Sequence, residues 1–389
     1  MTGIAFVGTG FVADYYMTTL ANHPGLSLRG VYDHSPAQLE RFAAYYGVAA
    51  YRSLDELLAD PDVRIVVNLT TIEGHYPVSK AALEAGKYVY SEKPLSETVE
   101  QAMELRDSAA RRGLMIAGAP ANTATPLFDR IDGLVREGAI GKPKLVYAQM
   151  EDGAVFRQNW RDWRSASGAV WPGEHEFLVG CTLEHAVYAL SWLVMLFGPV
   201  DSVTAFSALC FPDKGQAGSQ PLGPDFSVAM LNFRSGPVAR VTTGLCAPKD
   251  RSMTIMGEAG TITVDDLWDF NSAARIEIEG RARSLPQRAA TRLARTTGIA
   301  LGGLAKPGHA IDVAKKARPE LPAFPSQIDF SGGIAAVARA IEGGEKPFLS
   351  GDMAVHLTEL ALAISNAGQS AQPYRVRSLR PADEPEPSR

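Results

Sequence analysis

Cysteine, long apolar runs and any excess of basic charge are scarce in this chain of 389 residues. Its three cysteines, Cys181, Cys210 and Cys246, stand far apart without metal-ligand spacing, so neither a disulfide framework nor a zinc site is expected. Such thiol usage fits a reducing cytoplasm. Lys and Arg number 38 against 43 Asp and Glu, a net charge of −5, whereas nucleic-acid binders carry a basic excess. No nucleic-acid partner is expected. The most apolar stretch, residues 186–197, is too short to span a bilayer and reads as a buried helix, so no membrane partner is expected. A glycine turn begins at residue 8, which leaves no room before it for a charged and apolar secretion leader. The remainder, 46% hydrophobic and 21% charged, has the make-up of an ordinary globule. Its length exceeds what one core usually supports, and two domains are the expectation.

The most informative segment is the first one. An apolar run at residues 4–7 leads directly into Gly8, Thr9, Gly10, Phe11, Val12 and Ala13, a GxGxxA pattern. Gly8 permits a tight turn, Gly10 lets backbone approach a pyrophosphate, and Ala13 allows close packing of helix on strand. A second strand at 28–32 ends in Asp33, twenty residues after Ala13, where a carboxylate would accept hydrogen bonds from an adenosine ribose. That carboxylate would repel a 2′-phosphate, which favours NAD, while His34, Ser35 and Arg41 leave NADP possible. Strand and helix signals continue to alternate: helix with Leu39, Phe42 and Tyr46, strand 48–51, helix 54–59, strand 64–69, helix 76–85, strand 88–90, helix 96–112 capped by Ser96, and strand 115–117. Repeated βα units predict an α/β fold with a doubly wound parallel sheet over residues 1–122.

Beyond residue 122 the rhythm changes to longer, alternating strands at 143–151, 200–210, 226–233, 238–245, 252–256 and 261–265. They predict a second α/β domain, 123–375, with a mostly antiparallel, open-faced sheet. Residues 281–318 have no clear strand period and read as an insertion; helices are expected at 330–342 and 353–367, and 376–389 as a tail.

Ligands in doubly wound sheets bind at the carboxyl ends of the strands, which places Ser91, Glu92, Lys93 and Pro94 at a nicotinamide site. There the charged form of Lys93 would be disfavoured beside an oxidised ring, which suits acid–base work on an alcohol or carbonyl. The competing reading is a solvated lysine at a helix start. Trp160, Arg161, Trp163 and Arg164 form an aromatic and basic cluster that suits a sugar, and equally a packed loop or an interface. Glu174, His175 and Glu176 lie close together but are not expected to hold a metal.

The glycine turn, the Glu92-Lys93-Pro94 triplet, residues 68–71 with His75 downstream, the phrase at 138–143 and that at 257–261 together resemble the Gfo/Idh/MocA oxidoreductases. The resemblance covers residues 4–370 except the insertion. It implies a Rossmann domain joined to an open α/β domain, and a homodimer or homotetramer. It further implies cofactor contacts from Gly8, Thr9, Gly10, Phe11, Val12, Asp33, Leu69, Thr70, His75, Glu92, Lys93, Pro94 and Asn122. The family's DxGxH helix is altered here. An ungapped count back from Gly198 puts Glu184 on the aspartate and Tyr188 on the histidine, as in the glucose-fructose oxidoreductase branch. A shifted count would put His185 there and lose the carboxylate. The implied activity is hydride transfer between nicotinamide and a sugar, cyclitol or polyol, with Lys93, Tyr188, Glu184 and His185 as catalytic candidates. Two alternatives are a glycosidase acting by transient oxidation and a non-catalytic sensor of dinucleotide or sugar.

Overall fold

A computed structural model describes residues 1–216, 218, 220–281, 285–297, 308–313, 319–323, 327–369 and 371–379. The expected tail from 380 onward, and part of the insertion, lie outside them. The first sheet is parallel, with order β2-β1-β3-β4-β5 for β1 (Thr2–Val7), β2 (Leu26–Tyr32), β3 (Ile65–Asn68), β4 (Tyr88–Ser91) and β5 (Ile116–Gly118). Strand β1 is buried along its whole length, as expected for a central strand covered on both faces. The helices between are α1 (Phe11–Leu20), α2 (Pro36–Tyr46), α3 (Leu54–Ala59), α4 (Ile72–Glu84) and α5 (Val99–Arg111). Two local expectations fail. Residues 48–51 do not form a strand; only Ala50 bridges to Val31. Helix α5 starts later than expected because Thr98, rather than Ser96, accepts the hydrogen bond from the Gln101 amide.

Helix α6 (Pro126–Arg136) leads into the second sheet, whose core strands are β6 (Pro143–Glu151), β7 (Val200–Ala208), β8 (Phe226–Phe233), β9 (Val238–Gly244), β10 (Met253–Gly257) and β11 (Gly260–Val264). Between β6 and β7 stand α7 (Gly173–Val179) and α8 (Val187–Phe197), joined by a π-helical turn at Thr182–Ala186. Helix α8 is buried along most of its length, as a core helix should be. No single helix among the described residues is long and apolar enough to cross a membrane. Strand β12 (Ala274–Ile278), not anticipated from the sequence, extends the sheet. The presumed insertion contains helix α9 (Leu285–Thr297) and the short β13 (His309–Ala310), which pairs with β12. Helices α10 (Gly332–Ile341) and α11 (Asp352–Ser365) precede β14 (Tyr374–Arg375). The order is β13-β12-β11-β10-β6-β9-β8-β7-β14, antiparallel except where β6 runs parallel to β9. Helix α11 packs on both α5 and β7, so the end of the chain ties the two sheets together.

Candidate active site

The glycine turn takes the form its chemistry requires. Gly8 has a φ of 100°, and a Cβ there would meet the Leu69 carbonyl carbon at 2.6 Å, so only glycine fits. Gly10 caps α1, and nothing lies within 4 Å of where its Cβ would stand. That open space beside the first-turn amides of Phe11 and Val12 is a cradle for a phosphate group. Asp33 is buried and preset: Oδ2 accepts hydrogen bonds from the Thr9 amide (2.7 Å) and hydroxyl (3.0 Å), and Oδ1 accepts one from the Ser35 amide (2.8 Å). Arg41 donates to the Thr9 carbonyl at 2.8 Å. These features fit a dinucleotide.

At the carboxyl end of β4, Glu92 accepts a 2.7 Å hydrogen bond from the Tyr16 hydroxyl of α1, and its second oxygen accepts from the Lys93 amide. This fixes the turn from which Lys93 departs. The Lys93 Nζ donates to Glu184 Oε2 at 2.6 Å and lies 5.9 Å from the centroid of the Tyr188 ring. Glu184 belongs to the π-helical turn and Tyr188 to the first turn of α8. The ammonium of the first sheet thus meets the carboxylate and phenol ring of the second. The Tyr188 ring stacks on Trp268 at 4.5 Å and 25°, and Arg251 lies 4.1 Å over that indole. His185, next along the turn, does not reach Lys93. Its Nδ1 contacts Asp152, its Nε2 lies 3.7 Å from Glu176, and Asp152 accepts from Arg251 at 2.6 Å.

These surroundings set the proton affinities. Burial acts to lower the Lys93 ammonium, but Glu184, Tyr188, Glu92 and Glu176 together outweigh it and hold the value above the ordinary lysine range. Glu184 is held low by its pair with Lys93 against the opposing effect of burial. Burial raises Glu176, with the Glu184 charge adding to it. Against burial, Asp152 and Glu176 hold His185 up at about 9. Burial raises the Tyr188 phenol, so its proton is firmly held.

Three expected site residues have other work. Both donors of the Asn122 carboxamide go to the Tyr188 and Leu267 carbonyls at 3.0 Å, and its oxygen accepts from Ser191. Asn122 thus ties the first turn of α8, which carries Tyr188, to Leu267. The buried His75 faces the Pro94 carbonyl at 2.6 Å and the Thr70 carbonyl at 3.0 Å, which braces the Lys93-Pro94 turn from behind. Burial lowers its proton affinity, so a neutral ring satisfies one of the two carbonyls. Trp160 is 4% exposed, packed edge-on against Phe177 at 5.3 Å and covered by the Arg161 guanidinium at 4.1 Å, and is therefore a core residue. Arg161 and Arg164 are exposed and Trp163 is half-buried, packed on Trp171 at 5.0 Å. Leu69 is buried behind Gly8, while Thr70 is half-exposed and bonds Asn68 at 2.7 Å. His175 and Glu176 diverge, His175 to Glu73 at 3.0 Å and Glu176 to His185. The segment after Arg164 is tied to α1: Ser165 and Ser167 donate to Asp14 at 2.7 to 2.9 Å. Asp152, Arg251 and Trp268 went unnoticed in the sequence, since no local motif marks them.

Residues 2–118 match the oxidoreductase family with an NAD-binding Rossmann fold, and 128–263 match the GFO/IDH/MocA C-terminal domain. The chain belongs to the Gfo/Idh/MocA oxidoreductase family. It is therefore an NAD(P)-binding oxidoreductase. An uncharacterized oxidoreductase from Synechocystis is 29% identical over 283 residues, 70% of this chain and 74% of the relative. The inositol 2-dehydrogenase/D-chiro-inositol 3-dehydrogenase of Lactiplantibacillus plantarum is 30% identical over 38% of this chain and 43% of its own length. Among solved structures, aldose-aldose oxidoreductase from Caulobacter crescentus, complexed with glycerol, superposes with a TM-score of 0.72 at 20% identity, covering 96% of this chain and 98% of that one. It shares the fold.

Proposed function

We propose that this member of the family transfers hydride between nicotinamide and a carbon of a sugar, cyclitol or related polyol. One observation carries the reading: Lys93 Nζ, at the carboxyl end of β4, lies 2.6 Å from Glu184 and 5.9 Å from the Tyr188 ring centroid. Nicotinamide supplies or accepts the hydride when bound. The rest is proton handling by the chain. In carbonyl reduction the Lys93 ammonium gives its proton to the developing alkoxide, while Tyr188, whose proton is firmly held, donates a hydrogen bond to the same oxygen. In the reverse direction Lys93 is the base, and a positively charged oxidised ring nearby would help free its lone pair. Glu184 orients the ammonium. His185 is a positioning residue that holds the turn carrying Glu184.

The substrate class is supported by the inositol and aldose relatives. NAD is the preferred cofactor on the charge of Asp33. The domain limits are 1–122 and 123–375. The protein works in the cytoplasm as a homodimer or homotetramer through the open sheet face, where Tyr147, Phe206 and Met230 remain exposed. The test is a panel of sugars and cyclitols with NAD and NADP, followed at the reduced-nicotinamide absorbance. Turnover with at least one polyol is expected. Silence across the panel by a cofactor-loaded protein would sink the dehydrogenase, and release of an aglycone without net reduction would identify the glycosidase instead.

A further inference from the structure

Strands β7, β8 and β9 are neighbours, and at one end of them the chain assembles a group that its sequence spacing conceals. Cys210 lies two residues past the end of β7, Asp225 one residue before β8, and Cys246 two residues past β9. Their two sulfurs and a carboxylate oxygen all lie within 4.8 Å of one another. We propose that Cys210, Cys246 and Asp225 are the ligands of a thiophilic divalent cation of the zinc class. In a tetrahedral site, metal–sulfur bonds of about 2.3 Å place ligand atoms about 3.7 Å apart, so closure requires an adjustment of about 1 Å.

A disulfide fits this place less well. Both cysteines leave strands that flank β8, which lie two strand spacings or about 9.5 Å apart where they are regular, so a disulfide would have to draw the two loop ends together. An ion between the sulfurs fills the difference. The carboxylate is already fixed for the task. Asp225 is 1% exposed; its Oδ2 accepts from the Phe211 amide (2.9 Å) and Lys214 Nζ (2.9 Å), and among the described residues its Oδ1 accepts only from the Cys210 amide (2.6 Å). A carboxylate oxygen has two acceptor positions, so among the described residues Oδ1 retains one for a cation. The charges also balance: two thiolates and one carboxylate offset a dication and the buried Lys214 ammonium. Binding takes one proton from each thiol, and Cys246 gives up its 3.3 Å contact with the Asp225 carbonyl. Cys210 is exposed, which provides the way in and a water at the fourth position.

The site would clasp the neck of the segment between β7 and β8. Gly215 of that segment accepts from Arg161, Cys181 donates to the Pro224 carbonyl at 2.8 Å, and Gly223 donates to Phe177 of α7 at 2.9 Å. Its occupant thus braces the wall that carries Glu176 and Glu184 without touching Lys93. The proposal stands independently of the substrate reading.

The full-length protein, reduced and stripped with a chelator, is titrated with zinc against a chromophoric competitor, and separately with cobalt as a spectroscopic probe. One equivalent of zinc is expected, with thiolate-to-cobalt absorption in the near ultraviolet and a rise in Tm. Both signals should weaken about tenfold or more in Cys210→Ser and Cys246→Ser. Cys210 is exposed, so its variant keeps the fold, which circular dichroism checks. Absence of stoichiometric binding, or undiminished binding by Cys210→Ser, overturns the proposal. So does loss of two hydrogens by mass on air oxidation with both thiols consumed, which would make the pair a disulfide.

Discussion

The two walls of the cleft are assembled differently. On the Rossmann side, Gly8, Gly10, Asp33 and Lys93 each sit at the carboxyl end of a parallel strand or in the turn that follows, held by backbone and near-neighbour bonds such as those from Thr9 to Asp33. On the opposite side, Glu184, Tyr188, His185, Asp152, Arg251 and Trp268 come from a π-helical turn, a helix, a strand end and loops, and apart from Glu184, whose partner is Lys93, each is held by another side chain of the set. The first wall is a template of main-chain geometry. The second is a network of charges, and its members depend on one another.

Cutting the link between the walls tests this contrast most strongly. Lys93→Met should lower kcat by roughly 10²–10⁴ while leaving dinucleotide affinity, read by fluorescence titration, unchanged, because the template does not need that ammonium. An equal loss of cofactor binding would erase the distinction. Glu184→Gln leaves a buried cation without its partner and should cost about 3–5 kcal/mol in denaturant unfolding. It should also move the basic limb of the reductive pH profile to lower pH, since that carboxylate is the strongest of the groups that raise the Lys93 value. Asp33→Ala stays within the first wall: NAD binding should weaken about tenfold and discrimination against NADP should shrink, with Tm little changed. The gentlest test addresses the network alone. His185 titrates at about 9 when folded against 6.5 ordinarily, so its contribution to stability is complete below pH 6.5 and is lost as pH rises through 9. His185→Gln should flatten the fall of unfolding free energy over that window, as followed by urea melts at stepped pH.

The same contrast explains what the sequence disclosed. Gly8, Gly10, Asp33 and the Glu92-Lys93-Pro94 triplet are legible because strand, turn and helix are contiguous and their spacing is the geometry. Strands such as Pro143–Glu151 and Phe226–Phe233 are legible from alternation alone. The place of Asp152 was not, because a carboxylate at a strand end resembles any surface acid until Arg251 and His185 are folded onto it. Asn122 and His75 were assigned to the cofactor because their proximity to the motifs could be read but the engagement of their polar atoms could not. Cys210 and Cys246 offered no spacing signal, since β8 brings their strand ends together. Trp160 fell in an aromatic cluster whose outer members are exposed, and composition does not distinguish inner from outer.

The widened turn at Thr182–Ala186 holds one more residue than an α-helical turn would. Deleting a single codon there would let it tighten, rotating what precedes it by about 100° relative to α8 and carrying Glu184 off its bearing toward Lys93. Both sheets would be left standing, so a one-residue indel is enough to rewire this cleft without rebuilding the scaffold.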